Sequence, residues 1–230
     1  MLNGGKSRID IHPFDSLNEV ATQTAASLEN GRVALSGGST YMRLFAYWLV
    51  CTPRVASTSF FPVDERVVAF ESPQSNWGEA CRRFFAPLGV VQARKRHVTS
   101  AQQYRDMLAG VFDTMPPVFD TVFLGVGEDG HTASLFPGMP CLDDHESVVV
   151  ETRSPRAPFE RVSLAPRVLA AARQVIVVVA GARKEKAVAG ICHADASLPI
   201  VKVCGMRMYT RMYIGRELLH DRNMPHGTRG

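Results

Sequence analysis

Asp129 and His131 stand two residues apart in a loop punctuated by Gly125, Gly127 and Gly130. An imidazole has a reference pKa of about 6.5, so it can take and return a proton near neutral pH, and a carboxylate beside it can fix its orientation. Glycines at this spacing let a backbone approach a ligand closely. Glu128 adds another charged group, and Thr132 and Ser134 add hydroxyls before Pro137 and Gly138 turn the chain. A plain strand-to-helix turn, with Asp129 as a cap and His131 as a satisfied loop residue, would use the same residues. The loop therefore has to be weighed with the rest of the chain.

Two other stretches carry chemistry. Ser36, Gly37, Gly38, Ser39 and Thr40 join an apolar run to a helical pattern. Strand, Ser/Gly loop and helix together offer backbone N–H groups and a helix N-terminus to a phosphate. The G-K-[ST] ending of a P-loop and the G-x-G-x-x-G of a dinucleotide site are both missing, so a small phosphorylated ligand is implied in place of a nucleotide. The competing reading is a tight turn capped by Ser39. Asp64, Glu65 and Arg66 close the next apolar run. Charges there need each other, a ligand or solvent, and the planar fork of Arg66 suits a phosphate. Ser75 and Asn76 then precede a helix; Asn76 can cap it or reach a sugar hydroxyl. The basic run of Arg94, Lys95, Arg96 and His97 reads as a solvated link.

The elements that must position these residues alternate. Strands are expected at 32–35, 60–63, 119–126, 147–152, 161–164 and 174–180, with a last short strand at 199–203. Helical spacing marks 15–29, 41–50, 77–85, 102–112, 166–172 and 184–191. This alternation predicts an α/β fold, a doubly wound, mostly parallel sheet with helices on both faces, in which the three polar loops share one rim.

Length and composition predict one domain over 1–230, with loose ends at 1–12 (a lead-in or an edge strand) and 220–230. The net charge of +4 is mildly basic and suits an anionic substrate, while no basic run interleaved with aromatics points to nucleic acid. Five dispersed cysteines without a C-x-x-C pair fit a reduced, cytoplasmic chain and packing roles. No apolar segment of about 20 residues is available to span a membrane, and no signal peptide is read.

With these residues in view the chain resembles the glucosamine-6-phosphate isomerase/6-phosphogluconolactonase family, on its lactonase side. The carriers are SGGST at 36–40, DER at 64–66 with Ser75 and Asn76, and GVGEDGHTASLFPG at 125–138. SPRAPFERVSL at 154–164 and GARK at 181–184 follow. Order and spacing agree over roughly 15–205. Deaminases of this family tend to continue from the histidine with Ile-Ala-Phe-Asn-Glu; here Thr132, Ala133, Ser134, Leu135, Phe136 and Pro137 follow instead.

The resemblance implies a modified Rossmann-like fold. It also implies hydrolysis of 6-phospho-D-glucono-1,5-lactone in the oxidative pentose phosphate pathway, with no metal or organic cofactor; the oligomeric state is left open, with a monomer favoured. His131 would activate water, with Asp129 orienting it and backbone N–H groups at 127–130 as candidate oxyanion donors. Ser36, Gly37, Gly38, Ser39, Thr40, Arg66, Arg156 and Lys184 would hold phosphate and Asn76 the sugar; Gly130, Ser134 and Asp64 are counted with the substrate-binding residues, the role of Asp64 being left open. Amino-sugar-phosphate deamination and a non-catalytic sugar-phosphate sensor are the alternatives. Arg156 stands where the family usually has lysine, and the segment 211–215 departs from the family pattern.

Overall fold

The structure, a computed structural model, describes residues 7–219. The expectations for 1–6 and 220–230 lie outside these residues. In chain order the elements are β1 (Arg8–Phe14), α1 (Leu17–Thr24), β2 (Gly31–Leu35), α2 (Gly38–Val50), β3 (Thr58–Pro62), β4 (Asp64–Arg66), α3 (Asn76–Ala80), α4 (Ala101–Ala109), β5 (Thr121–Gly125), β6 (Val149–Arg153), β7 (Glu160–Leu164), α5 (Pro166–Ala171), β8 (Gln174–Val179), α6 (Glu185–Cys192), α7 (Pro199–Gly205) and β9 (Tyr209–Gly215).

Six strands form a parallel sheet in the order β1-β9-β8-β5-β2-β3. Alternation along each strand decides which face a residue covers. Val33, Leu35, Phe60, Phe123, Ile176 and Val178 meet Leu44, Phe45 and Trp48 of α2 on one face. Ala34, Phe61, Val122, Leu124, Val175 and Val177 meet Tyr104 and Leu108 of α4, Val168 of α5 and Ile200 of α7 on the other. Both faces are covered, which is why these strands read as nearly continuous apolar runs. The strand after β2 lies to one side and the strands after β5 lie to the other, so the order reverses between β2 and β5. The crevice at the carboxyl ends of such a pair is where an open α/β sheet binds its ligands.

Of the two readings offered for the first residues, the edge strand holds where the structure describes them: residues 8–14 are β1, paired along its whole length with β9 while Ile9 and Ile11 pack on the core. Two expectations are corrected. Residues 199–203 are helical: Pro199 occupies the first turn, where its missing N–H costs nothing, and Ile200, Val203 and Cys204 recur at helical spacing on the buried side. The last strand is β9, at 209–215. Finally, Asp64, Glu65 and Arg66 do not end β3. The chain bends after Pro62, and these residues form β4 of a separate antiparallel sheet, in the order β4-β7-β6.

Among the described residues no helix is long and apolar enough to cross a membrane.

Candidate active site

A cavity of about 540 Å³ opens at the β2/β5 crevice, roofed by the small sheet. Asp129 and His131 line it from the loop after β5. Ser36, Gly37, Gly38, Ser39 and Thr40 line it from the turn into α2. Asp64, Arg66, Asn76, Ser134, Arg156 and Lys184 also line it. Gly130 does not line it: a Cβ there would meet Leu198 at 2.7 Å, and its carbonyl accepts the Ile200 N–H at 3.2 Å, so it seats the loop against α7.

The His131 ring is held from three directions. Its Nδ1 lies 2.5 Å from Asp129 Oδ1, and its ring centroid is 4.7 Å from that of Phe136. Beneath it is Gly127, where a Cβ would stand 2.0 Å from Nδ1. Burial works to raise the Asp129 carboxyl, but its hydrogen bonds with His131 outweigh burial and bring it down to about 2. An ionised carboxylate only accepts, so Nδ1 carries the hydrogen and the neutral ring keeps its lone pair on Nε2.

A stability consequence follows. The unfolded value is near 3.9, above the folded one of about 2. The stabilisation from the pair is therefore fully present above about pH 4 and is lost as pH falls through the folded value. Asp129→Asn is expected to be slightly less stable than wild type near neutrality, because solvent screens so exposed a pair. The gap should narrow on acidification below pH 4. Urea midpoints of both proteins across that range check this, and a gap that widens would contradict it.

The loop N–H groups at 127–130 are partly spent. Gly127 N–H donates to His131 O at 2.7 Å and Gly130 N–H to Gly127 O at 3.2 Å, so neither is open to an oxyanion. Across the crevice, the turn into α2 offers unspent N–H groups to an anion. The turn into α2 has no side-chain cap, and the first N–H groups of a helix have no partner within it. Gly38 takes φ +85°, a conformation glycine adopts readily. Ser36 Oγ is buried with no hydrogen-bond partner among the described residues.

The cations converge from separate elements. Arg156 stands on the β6–β7 hairpin loop and Lys184 precedes α6. Burial lowers the Lys184 ammonium below the usual lysine range, Arg183 adding to this while Glu128 and Asp129 oppose it. Sequence reasoning missed Arg161. It lies directly opposite Arg66 across β4 and β7, is 7% exposed, and its Nε has no hydrogen-bond partner among the described residues. Burial and then the Arg66 charge lower its pKa, with Asp64 and Glu65 pulling the other way. Like charges facing each other across strands repel, so this pair is poised for an anion. The signal in the sequence was faint, because an arginine in ERVSL reads as the solvent-facing half of an alternating strand.

Asp64 and Ser134 are tied to each other: Ser134 Oγ donates to Asp64 Oδ2 at 2.6 Å. Ser134 also accepts from Thr152 Oγ1 at 2.7 Å through its carbonyl, and its N–H reaches Ser163 Oγ at 3.4 Å. Its hydroxyl thus serves the join between loop and small sheet. Asn76 is the first residue of α3; Ser75 is the cap, accepting from Gly78 N–H at 2.8 Å.

Comparison with known proteins points in one direction. Residues 13–211 match the sequence model described as glucosamine-6-phosphate isomerases/6-phosphogluconolactonase. A 6-phosphogluconolactonase of Rattus norvegicus is 34% identical over 209 residues, covering 82% of this chain and 81% of its own. The 6-phosphogluconolactonase structure from Trypanosoma brucei superposes with a TM-score of 0.75 at 25% identity, over 92% of this chain and 97% of that one. A monomeric glucosamine-6-phosphate deaminase superposes with a TM-score of 0.72 at 16% identity, over 92% of this chain and 98% of that one, so the two branches share the fold.

Proposed function

Because this chain belongs to the glucosamine-6-phosphate isomerase/6-phosphogluconolactonase family, we propose that its cavity hydrolyses 6-phospho-D-glucono-1,5-lactone to 6-phospho-D-gluconate. The observation that carries the reading is one juxtaposition. An Asp129-oriented imidazole opens on the same cavity as Arg66, Arg156, Arg161 and Lys184, which suits an ester at one end of a substrate and a phosphate at the other. The volume lies within the range of small-molecule sites.

In this reading water approaches the lactone carbonyl while His131 Nε2 takes one of its protons. The water oxygen bonds to C1, and negative charge develops on the carbonyl oxygen, where nearby donors stabilise it. The tetrahedral intermediate collapses by breaking the bond from C1 to the ring oxygen. The proton on Nε2 passes to that oxygen, regenerating neutral His131, and the new carboxylic acid ionises to solvent. The open α2 N-terminus, Lys184 and the facing Arg66–Arg161 pair hold the 6-phosphate. Asn76 reaches the sugar. The same reading carries a place in the oxidative pentose phosphate pathway and a cytoplasmic monomer.

No carboxylate follows His131 before Asp143, which favours lactone hydrolysis over deamination. The direct test supplies freshly generated lactone with spontaneous opening subtracted, beside glucosamine 6-phosphate with ammonia release followed. Lactone turnover alone is expected; ammonia release at a comparable rate would overturn the assignment. Arg66→Ala should remove a charge-assisted contact worth about 1.5–3 kcal/mol. That corresponds to a KM roughly 10- to 100-fold higher with kcat little changed, if the contact is equal in ground and transition states. An unaltered KM would remove Arg66 from the phosphate site.

A further inference from the structure

Glu65 is fully buried, and it does not line the cavity. No lysine or arginine nitrogen lies within 4 Å of it among the described residues; the nearest ionisable partner is His97, whose Nε2 is 3.9 Å from Oε2. Four uncharged donors satisfy the carboxylate instead. Oε1 accepts the Arg66 N–H at 2.7 Å and the Asn76 N–H at 2.8 Å. Oε2 accepts the Ser75 hydroxyl at 2.8 Å and the Trp77 N–H at 2.8 Å. An acidic group taken wholly out of water is a costly way to close a helix end, and this end already has its cap in Ser75. What Glu65 adds is reach, since its Oε1 joins the backbones of two residues that face the cavity from different elements.

The linkage extends further on both sides. Arg66 Nη1 donates to Gln74 O at 2.7 Å, so the guanidinium braces the segment that leads into α3. The Asn76 side chain packs against the turn into α2, where a Cβ on Gly37 would stand 2.2 Å from Asn76 Cγ. Moving the Asn76 backbone therefore moves the side chain relative to the α2 N-terminus.

We infer that Glu65 is a positioning residue for the substrate-holding side of this site: its carboxylate sets where Arg66 and Asn76 stand relative to each other and to the start of α2. The inference rests on the proposed lactonase reading. All four neighbours donate, so only a group that accepts at both oxygens fits. Glu65→Gln keeps the shape and puts an amide donor against donors.

The experiment measures steady-state lactone hydrolysis by wild type, Glu65→Gln, Asn76→Ala and the double variant, with melting temperature recorded for each. Glu65→Gln is expected to raise KM about tenfold or more, as displaced holding groups do, with kcat changed much less. The double variant should be no worse than Glu65→Gln alone, because Asn76 is already misplaced. A folded Glu65→Gln with wild-type KM, or losses that multiply in the double variant, would overturn the inference. Should Glu65→Gln fail to fold, Ser75→Ala removes one of the four donors and leaves the carboxylate. A several-fold higher KM there supports the inference, and an unchanged KM overturns it. Absence of turnover in wild type would instead bring down the functional reading, and the inference with it.

Discussion

Replacing His131 with alanine is expected to lower kcat by about 10²- to 10⁴-fold, the usual contribution of a positioned general base. That range corresponds to roughly 3–5 kcal/mol of barrier. KM should change little, because the imidazole acts on water and the substrate is held by the cations across the cavity. Part of the ring is solvent-exposed, so its loss leaves no large apolar void and the fold should persist. Single-turnover measurements, with the spontaneous rate subtracted, separate the chemical step from binding. Near-normal turnover would remove His131 as the base.

The second large effect comes from a residue with no side chain. Gly127→Ala would place a methyl group 2.0 Å from His131 Nδ1, 2.2 Å from Cε1 and 2.7 Å from Asp129 Oδ1. Real atoms do not approach so closely, so the imidazole must leave its present position and its Asp129 contact. The backbone at Gly127 does not need positive φ, so the substitution acts on the ring and not through chain strain. Displacing a reacting group by about 1 Å can cost about 10²-fold. We expect a kcat loss of that order with a melting temperature close to wild type. A kcat within about threefold of wild type would show that the ring does not need its present seat.

The site was legible in the sequence where chemistry and chain geometry coincide. Glycines, hydroxyls and charges at the ends of apolar runs announced 36–40, 64–66 and 125–138, and the structure gathers all three at one cavity. Position 161 was not legible for the opposite reason. Polar residues alternate with apolar ones on any half-buried strand, and nothing local tells that the polar face of β7 looks into a site roofed by its own sheet. The same limit hid the second sheet: DER directly follows FFPV, and no residue there records that the pairing partner changes from β2 to β7. At 199–203 the β-branched content of PIVKV outweighed a helical pattern, though proline in a first turn is a helix signal. Gly127 was read as a place for a ligand to approach; the group that approaches it is His131.

The hydrogen bonds of Ser134 have a consequence for how such a protein can change over generations. In the proposed reading, proton chemistry resides on the large sheet and much of the recognition on the small one. Ser134 fastens the loop of the first to all three strands of the second, through Asp64, Thr152 and Ser163. A lineage that keeps this fastening can exchange the length and charge of the hairpin that carries Arg156 while inheriting the Asp129–His131 pair intact. On that reading substrate preference and reaction type are separately heritable, and a change at residue 134 would disturb both at once.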